Sequence, residues 1–211
     1  MSRFRLEYSA DGYTLAERDS GRTLHIDYAS ARLKHRIRGG RELLARAAKA
    51  KPGVSVLDAT AGLGIDSFIL ASRGCMVQMV ERSATLHLML EDALLRASQD
   101  RTTADIAGRM TLVRGDAHYV MAHLDSPPDV IVIDPMFPPR RKSAAVRGEL
   151  QLLQEFLGKD EHARSLVVAA RNTGAARIVV KRPLTGGDLA GLTPSHSVRG
   201  RASRWDVFAG R

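Results

Sequence analysis

Apolar residues along this chain follow two rhythms. Before residue 30 they alternate loosely with polar ones between turn signals: a run over 4–8, a turn at Asp11-Gly12, a run over 13–15, a turn at Asp19-Ser20-Gly21, and a run over 23–28. Alternation bounded by Gly and Asp predicts short antiparallel strands, hence a small β appendage over 1–30. Over 31–50 the pattern is interrupted by bases (Arg32, Lys34, His35, Arg36, Arg38, Arg41, Arg46) around Gly39-Gly40, which reads as a basic hinge leading into a helix. From 51 to 211 short apolar runs alternate with helical stretches. Strands are expected over 54–57, 76–80, 110–113, 130–133 and 177–180, with a last one near 205–208. Helices are expected over 66–72, 84–97, 117–123, 149–157 and 162–171. This is the signature of βαβ units on a parallel sheet, an α/β domain.

Composition narrows the picture. With 44% apolar and 26% charged residues in 211, the chain is neither disordered nor fibrous. No apolar run approaches the ~18 to 20 residues of a membrane span, and charges occupy the region 1–12 where a signal peptide would be apolar, so a cytoplasmic protein with no membrane partner is expected. A single cysteine, Cys75, cannot close an internal disulfide, and the seven histidines lack ligand spacing, so no metal is expected. The net charge of +9 points to a polyanionic partner, nucleic acid foremost.

The chemistry sits at predicted strand ends. Val56-Leu57-Asp58 runs into Ala59-Thr60-Ala61-Gly62-Leu63-Gly64-Ile65-Asp66, where a helix opens. Two close glycines let backbone approach a ligand at a helix N-terminus. Ser67 stands where a nicotinamide fingerprint has its third glycine, which disfavours an oxidoreductase. The next strand ends at Glu81, 23 residues after Asp58, where doubly wound folds place the carboxylate for ribose hydroxyls. Asp116 follows the third strand and Asp134 the fourth. In a parallel sheet these ends share one edge, so the four carboxylates are expected to meet in one site, although any single one could be a helix cap.

Asp134-Pro135-Met136-Phe137-Pro138-Pro139 resembles the Asp/Asn-Pro-Pro-Tyr/Phe loop of methyltransferases that act on exocyclic amino groups of bases. An aryl amine is a poor nucleophile because its lone pair is delocalised into the ring. A carboxylate and a backbone carbonyl accepting its two N–H bonds localise that pair. Asp134 and the Pro135 carbonyl suit this task, and Phe137 can stack on a base that is unpaired or flipped.

Together with the glycine loop, Met79-Val80-Glu81-Arg82, Lys142-Ser143-Ala144 and Val179-Val180-Lys181-Arg182-Pro183, this loop resembles, in order, the RsmJ family of bacterial 16S ribosomal RNA guanine-N2 methyltransferases, over roughly 28–210. The resemblance implies a Rossmann-like class I methyltransferase fold: a mostly parallel seven-stranded sheet with a reversed last strand and helices on both faces. It implies S-adenosylmethionine as donor and 16S rRNA, or the small ribosomal subunit, as partner. By position, Asp58, Gly62, Gly64, Ile65 and Asp66 would border the donor, Glu81 and Arg82 hold its ribose region, Asp116 and Ala117 flank its adenine, Asp134 would sit between donor and target amine and contact both, and Pro135 and Phe137 would face the amine. The family usually has Arg at the position of Ile65, so only the backbone role carries over there, and the chain starts later than typical members.

Arg140, Arg141, Lys142 and Arg147 after the loop, Lys181 and Arg182 after the fifth strand, and Arg199, Arg201 and Arg204 near the C-terminus are expected to ring the pocket mouth and contact RNA phosphates. Cys75 reads as a small buried hydrophobe, and Trp205 either packs on the sheet or stacks on RNA. Two alternatives share these features: an amino-methyltransferase acting on adenine N6 or cytosine N4, and an RNA-binding protein that keeps the fold without the donor.

Overall fold

A computed structural model describes residues 3–40, 42–135, 147–158, 163–185, 187–189 and 191–210. Strands β1 (Phe4–Ser9), β2 (Gly12–Glu17) and β3 (Thr23–His25) precede helices α1 (Ala31–Arg38) and α2 (Leu43–Ala47). Then come β4 (Ser55–Asp58), α3 (Ile65–Ala71), β5 (Met76–Glu81), α4 (Ala84–Gln99), α5 (Ala104–Ala107), β6 (Met110–Arg114), α6 (Ala117–Ala122) and β7 (Val130–Ile133). The chain ends with α7 (Arg147–Leu157), α8 (Ala163–Asn172), β8 (Arg177–Pro183), β9 (His196–Arg199) and β10 (Ser203–Ala209).

The main sheet has seven strands in the order β6-β5-β4-β7-β8-β10-β9. The first five in that order run parallel, and β10 is antiparallel to both its neighbours. Successive side chains of a strand point to opposite faces, and here both faces are apolar. Val56, Val132, Val179 and Val207 join Phe68, Leu86 and Leu90 of α3 and α4 on one side. Leu57, Ile131, Ile178 and Phe208 join Met121, Leu166 and Val167 of α6 and α8 on the other. The uninterrupted apolar run of β7 is thus a strand buried on both faces, where each such side chain contributes about 1.5 to 3 kcal/mol.

Three elements depart from expectation. One is α5, a single turn between α4 and β6 where no element was expected. The segment read as a basic hinge contains a helix, α1, because Leu33 and Ile37 form an apolar stripe against the core beneath the bases. β9 carried no strand signal, since Val198 is its one apolar residue; it exists because β10 offers it an edge to pair with. Among the described residues no helix is long and apolar enough to cross a membrane.

The N-terminal strands form a separate antiparallel sheet in the order β1-β2-β3. It is pinned to α7 by charge. Buried Glu17 accepts hydrogen bonds from Arg3 (2.6 Å), Arg22 (2.8 Å) and Ser20, and both arginines also bond Glu155 of α7. The Ser20 hydroxyl first, then Arg22 and Arg3, hold the Glu17 carboxyl at about 2 against the upward push of burial. A depressed carboxyl stabilises fully above its ordinary value of 4.5, and that contribution is lost as pH falls toward 2. In urea titrations, Glu17→Gln is therefore expected to lose less stability than wild type on acidification to about pH 3. Parallel acid profiles for the two proteins would remove Glu17 from this role.

Candidate active site

Strand order reverses between β4 and β7, and a crevice of about 800 Å³ opens there at the carboxyl ends of the strands. Open α/β sheets bind ligands at such switch points, in sites of roughly 300 to 1,000 Å³. Asp58, Glu81, Asp116 and Asp134 all line the crevice. Four acidic strand ends, dispersed over 77 positions of sequence, therefore meet in one place.

The loop between β4 and α3 is tied down from within. Asp58 accepts the Ser67 hydroxyl at 2.6 Å on one oxygen and the Thr60 amide at 3.1 Å on the other. Burial outweighs both bonds and raises the Asp58 carboxyl to about 7. Thr60 Oγ1 accepts the Asp134 amide N–H at 2.7 Å, joining this loop to the end of β7. Ser67 thus fastens the loop where a nicotinamide fingerprint would have glycine, a role with no signal in the sequence. Asp58 acts inward as much as toward the crevice.

The two glycines do different things. Gly62 has φ +56°, and a Cβ there would meet only the Thr60 carbonyl oxygen, 3.8 Å away, so this stretch of backbone is open to close approach. Gly64, with φ +67°, faces the interior instead and does not line the crevice. A Cβ on it would fall 2.1 Å from Tyr28 Oη. Tyr28 donates to the Leu63 carbonyl at 3.2 Å and stacks on Phe68 at 4.7 Å, so the N-terminal segment braces the glycine loop from behind.

Glu81 accepts the Gly62 amide at 3.0 Å and the Ser83 amide at 2.7 Å, and burial raises its carboxyl despite these bonds. Ile65, Asp66, Arg82 and Ala117 also line the crevice. Asp116 caps α6, accepting the His118 and Tyr119 amides at 2.8 and 3.4 Å, so a helix cap and a crevice wall coincide in one residue. Pro135 is buried directly after Asp134.

The basic residues divide. Lys181 lines the crevice, with Nζ 2.6 Å from Asp134 Oδ2 and 3.2 Å from Asp66 Oδ2, a position in an ion-pair cluster rather than at the outer rim. Asp134 keeps a third of its side chain exposed, but only to the floor of a recess. Burial therefore raises its carboxyl, against the pull of Lys181 and with a further push from Asp66. Burial draws Lys181 down, yet Asp66 and Asp134 together lift it well above an ordinary lysine. Arg182 points to the other face of β8 and donates to the Gly187 carbonyl. Arg204 is buried and paired with Asp206 at 2.8 Å, which makes it structural, and Trp205 is buried in the core. Phe137, Arg140, Arg141 and Lys142 lie outside the described residues.

One wall of the crevice was not legible beforehand. His25 and Asp27 around the end of β3, Arg32 and Arg36 of α1, and Glu149 and Leu153 of α7 all line it. Arg36 pairs with Glu42 at 2.7 Å and reaches Asp66 at 3.5 Å. The N-terminal sheet holds α7, and α7 and α1 complete the recess opposite the glycine loop.

The sequence profile of the SAM-dependent methyltransferase family matches residues 1–210. A ribosomal RNA small subunit methyltransferase J from Chromohalobacter salexigens is 40% identical over 98% of this chain and 85% of its own length. Its counterpart from Stutzerimonas stutzeri is 40% identical over 92% and 78%. The crystal structure of a SAM-dependent methyltransferase from Neisseria gonorrhoeae, 33% identical, matches 97% of this chain and 81% of its own with a TM-score of 0.78. The likeness takes in the N-terminal sheet, beyond the span of 28–210 that the motifs carry.

Proposed function

This chain belongs to the SAM-dependent methyltransferase family, among relatives named ribosomal RNA small subunit methyltransferase J, and from that membership we propose that it transfers a methyl group from S-adenosylmethionine to the exocyclic N2 of a guanine in 16S ribosomal RNA. The observation that carries this reading is Asp134, held at the end of a buried strand and open to the crevice beside the glycine loop.

The crevice suits such a donor. Gly62 leaves room for close approach, Glu81 sets a carboxylate beside it for ribose hydroxyls, and Asp116 and Ala117 stand at the adenine end. Ile65 and Asp66 border the same space from the first turn of α3. S-adenosylmethionine supplies a methyl group on a positively charged sulfur, which leaves as a neutral thioether. Asp134 and the Pro135 carbonyl accept the two N–H bonds of the amine, draw its lone pair out of conjugation and stabilise the positive charge growing on nitrogen, which is discharged when the methylated nitrogen gives one proton to Asp134 or to water. Holding the reacting atoms in line can contribute about 7 to 11 kcal/mol in favourable cases. Cys75 is buried and its thiol raised by that burial, so it forms no covalent adduct with the base.

RNA reaches the pocket across α1, in a reaction placed in the cytoplasm. This helix has five bases in eight residues and no acid. Arg32 lines the crevice and Arg38 is exposed, and among the described residues neither is ion-paired. Each phosphate neutralised on a single strand contributes about 0.7 to the salt dependence of binding. The double variant Arg32→Gln/Arg38→Gln is expected to weaken RNA binding and to lower that log–log slope by about 1.4. An unchanged slope would take α1 out of the RNA path.

The direct test incubates labelled donor with undermethylated ribosomal RNA and with small subunits, then identifies the modified nucleoside. N2-methylguanosine is the expected product. N6-methyladenosine or N4-methylcytidine would replace guanine as the acceptor, and donor binding without transfer to either substrate would move the acceptor elsewhere.

A further inference from the structure

Two carboxylates and one ammonium share the floor of the crevice. Lys181 Nζ lies between Asp134 Oδ2 and Asp66 Oδ2, and 5.2 Å from the centroid of the buried Trp205 ring. An ammonium has three N–H bonds. Two carboxylates and the face of an indole, a cation–π partner, already engage it, so a phosphate reaching the 31% of the side chain that stays exposed would compete with two fixed carboxylates. The cluster also engages one side of Asp134 only: among the described residues no hydrogen bond reaches Oδ1.

We infer that Lys181 is a positioning residue for methyl transfer, which holds Oδ2 of an ionised Asp134 so that Oδ1 faces the acceptor amine, rather than a residue that binds RNA. The inference rests on the reading that Asp134 accepts the amine. Asp66 completes the device: it shares the ammonium and fixes it at the end of β8, while the three groups together keep one net negative charge beside the place of a cationic donor. The charged groups around Asp134 are Lys181 from β8, Asp66 from α3 and Asp58 from β4. Arg36 of α1 touches Asp66 at 3.5 Å, and Glu149 of α7 lines the same crevice.

The clamp predicts opposite effects from its two partners. Removing the ammonium disfavours the Asp134 carboxylate, so the acid limb of single-turnover transfer in Lys181→Met should move to higher pH, by about one to three units. At a pH below the shifted limb its rate should fall by about tenfold for each unit by which the limb lies above that pH. Lys181→Arg, which restores the charge, should bring the limb most of the way back. Asp66→Asn removes a neighbouring negative charge and leaves Lys181 to Asp134 alone, so its limb should move to lower pH at saturating donor. Should Lys181→Met fail to fold, Asp66→Asn carries the test.

The titration of the Asp134 carboxyl carbon, followed by NMR in the protein without RNA, should show the same two shifts. A wild-type enzyme silent on small-subunit RNA would overturn the proposed acceptor, while the carbon titration would still decide the clamp. Limbs and titrations that stay put in both variants, with only the RNA KM raised in Lys181→Met, would overturn the inference and make Lys181 an RNA contact.

Discussion

Asp134→Ala is expected to lower the rate of methyl transfer by about 10² to 10³, the scale on which removing one preorganised hydrogen-bond partner of a transition state acts. Donor affinity should change only a few-fold, because the Asp134 side chain bonds Lys181 while the glycine loop is held by Asp58, Ser67 and Glu81. The backbone link from the Asp134 amide to Thr60 survives the substitution, so the end of β7 should stay in place. Asn at this position keeps one acceptor oxygen and should fall between Ala and wild type. Single-turnover rates with saturating donor, alongside calorimetric donor binding, separate the two quantities. Near wild-type turnover in Asp134→Ala would remove this carboxylate from the chemistry.

Gly64→Ala is expected to be the most damaging of the small substitutions in the glycine loop. The new Cβ would lie 2.1 Å from Tyr28 Oη, 3.0 Å from Leu90 Cδ2 and 3.2 Å from Met79 Sδ. The residue would also have to hold φ +67°, a conformation that costs a side-chain-bearing residue about 1 to 3 kcal/mol. Crowding in a packed interior adds a similar amount. At about 2 to 4 °C per kcal/mol for a domain of this size, the melting temperature should drop by roughly 4 to 24 °C, with donor affinity falling too as the loop shifts. Gly62→Ala shares the backbone strain without the clash, so it should lose donor affinity with a smaller change in melting temperature. Tyr28→Phe removes the hydroxyl that Gly64→Ala strikes. The double variant Tyr28→Phe/Gly64→Ala should therefore be more stable than the sum of the two single changes predicts, and strict additivity would mean that Tyr28 does not brace the loop.

The parts of this molecule that were legible in advance are those written in short stretches. The run Val130-Ile131-Val132-Ile133 specifies a strand buried on both faces by itself, and it emerged with those bounds. Asp58 and Glu81 close their strands, Asp134 directly follows the end of its own, and Asp116 comes one glycine after the end of β6. Once the strands are parallel, geometry places such residues at one edge. α1 was hidden because its apolar stripe is only Leu33 and Ile37 among many bases. β9 was hidden because an edge strand owes its existence to its partner.

By itself the sequence determined the alternation of strands and helices, the glycine turn, the acidic strand ends and the loop that begins at Asp134, because backbone periodicity and turn chemistry act between near neighbours. The tertiary structure alone decided what those groups touch. Lys181 meets Asp134 across 47 positions and Asp66 across 115, Tyr28 reaches Leu63 across 35, and α1 and α7 close a wall around the recess. Such contacts depend on how separate elements pack, and a lysine at a strand end reads the same whether it will face a phosphate or a pair of carboxylates. Burial then sets the charge state of Asp58 and Asp134, and burial is a property of the assembled fold.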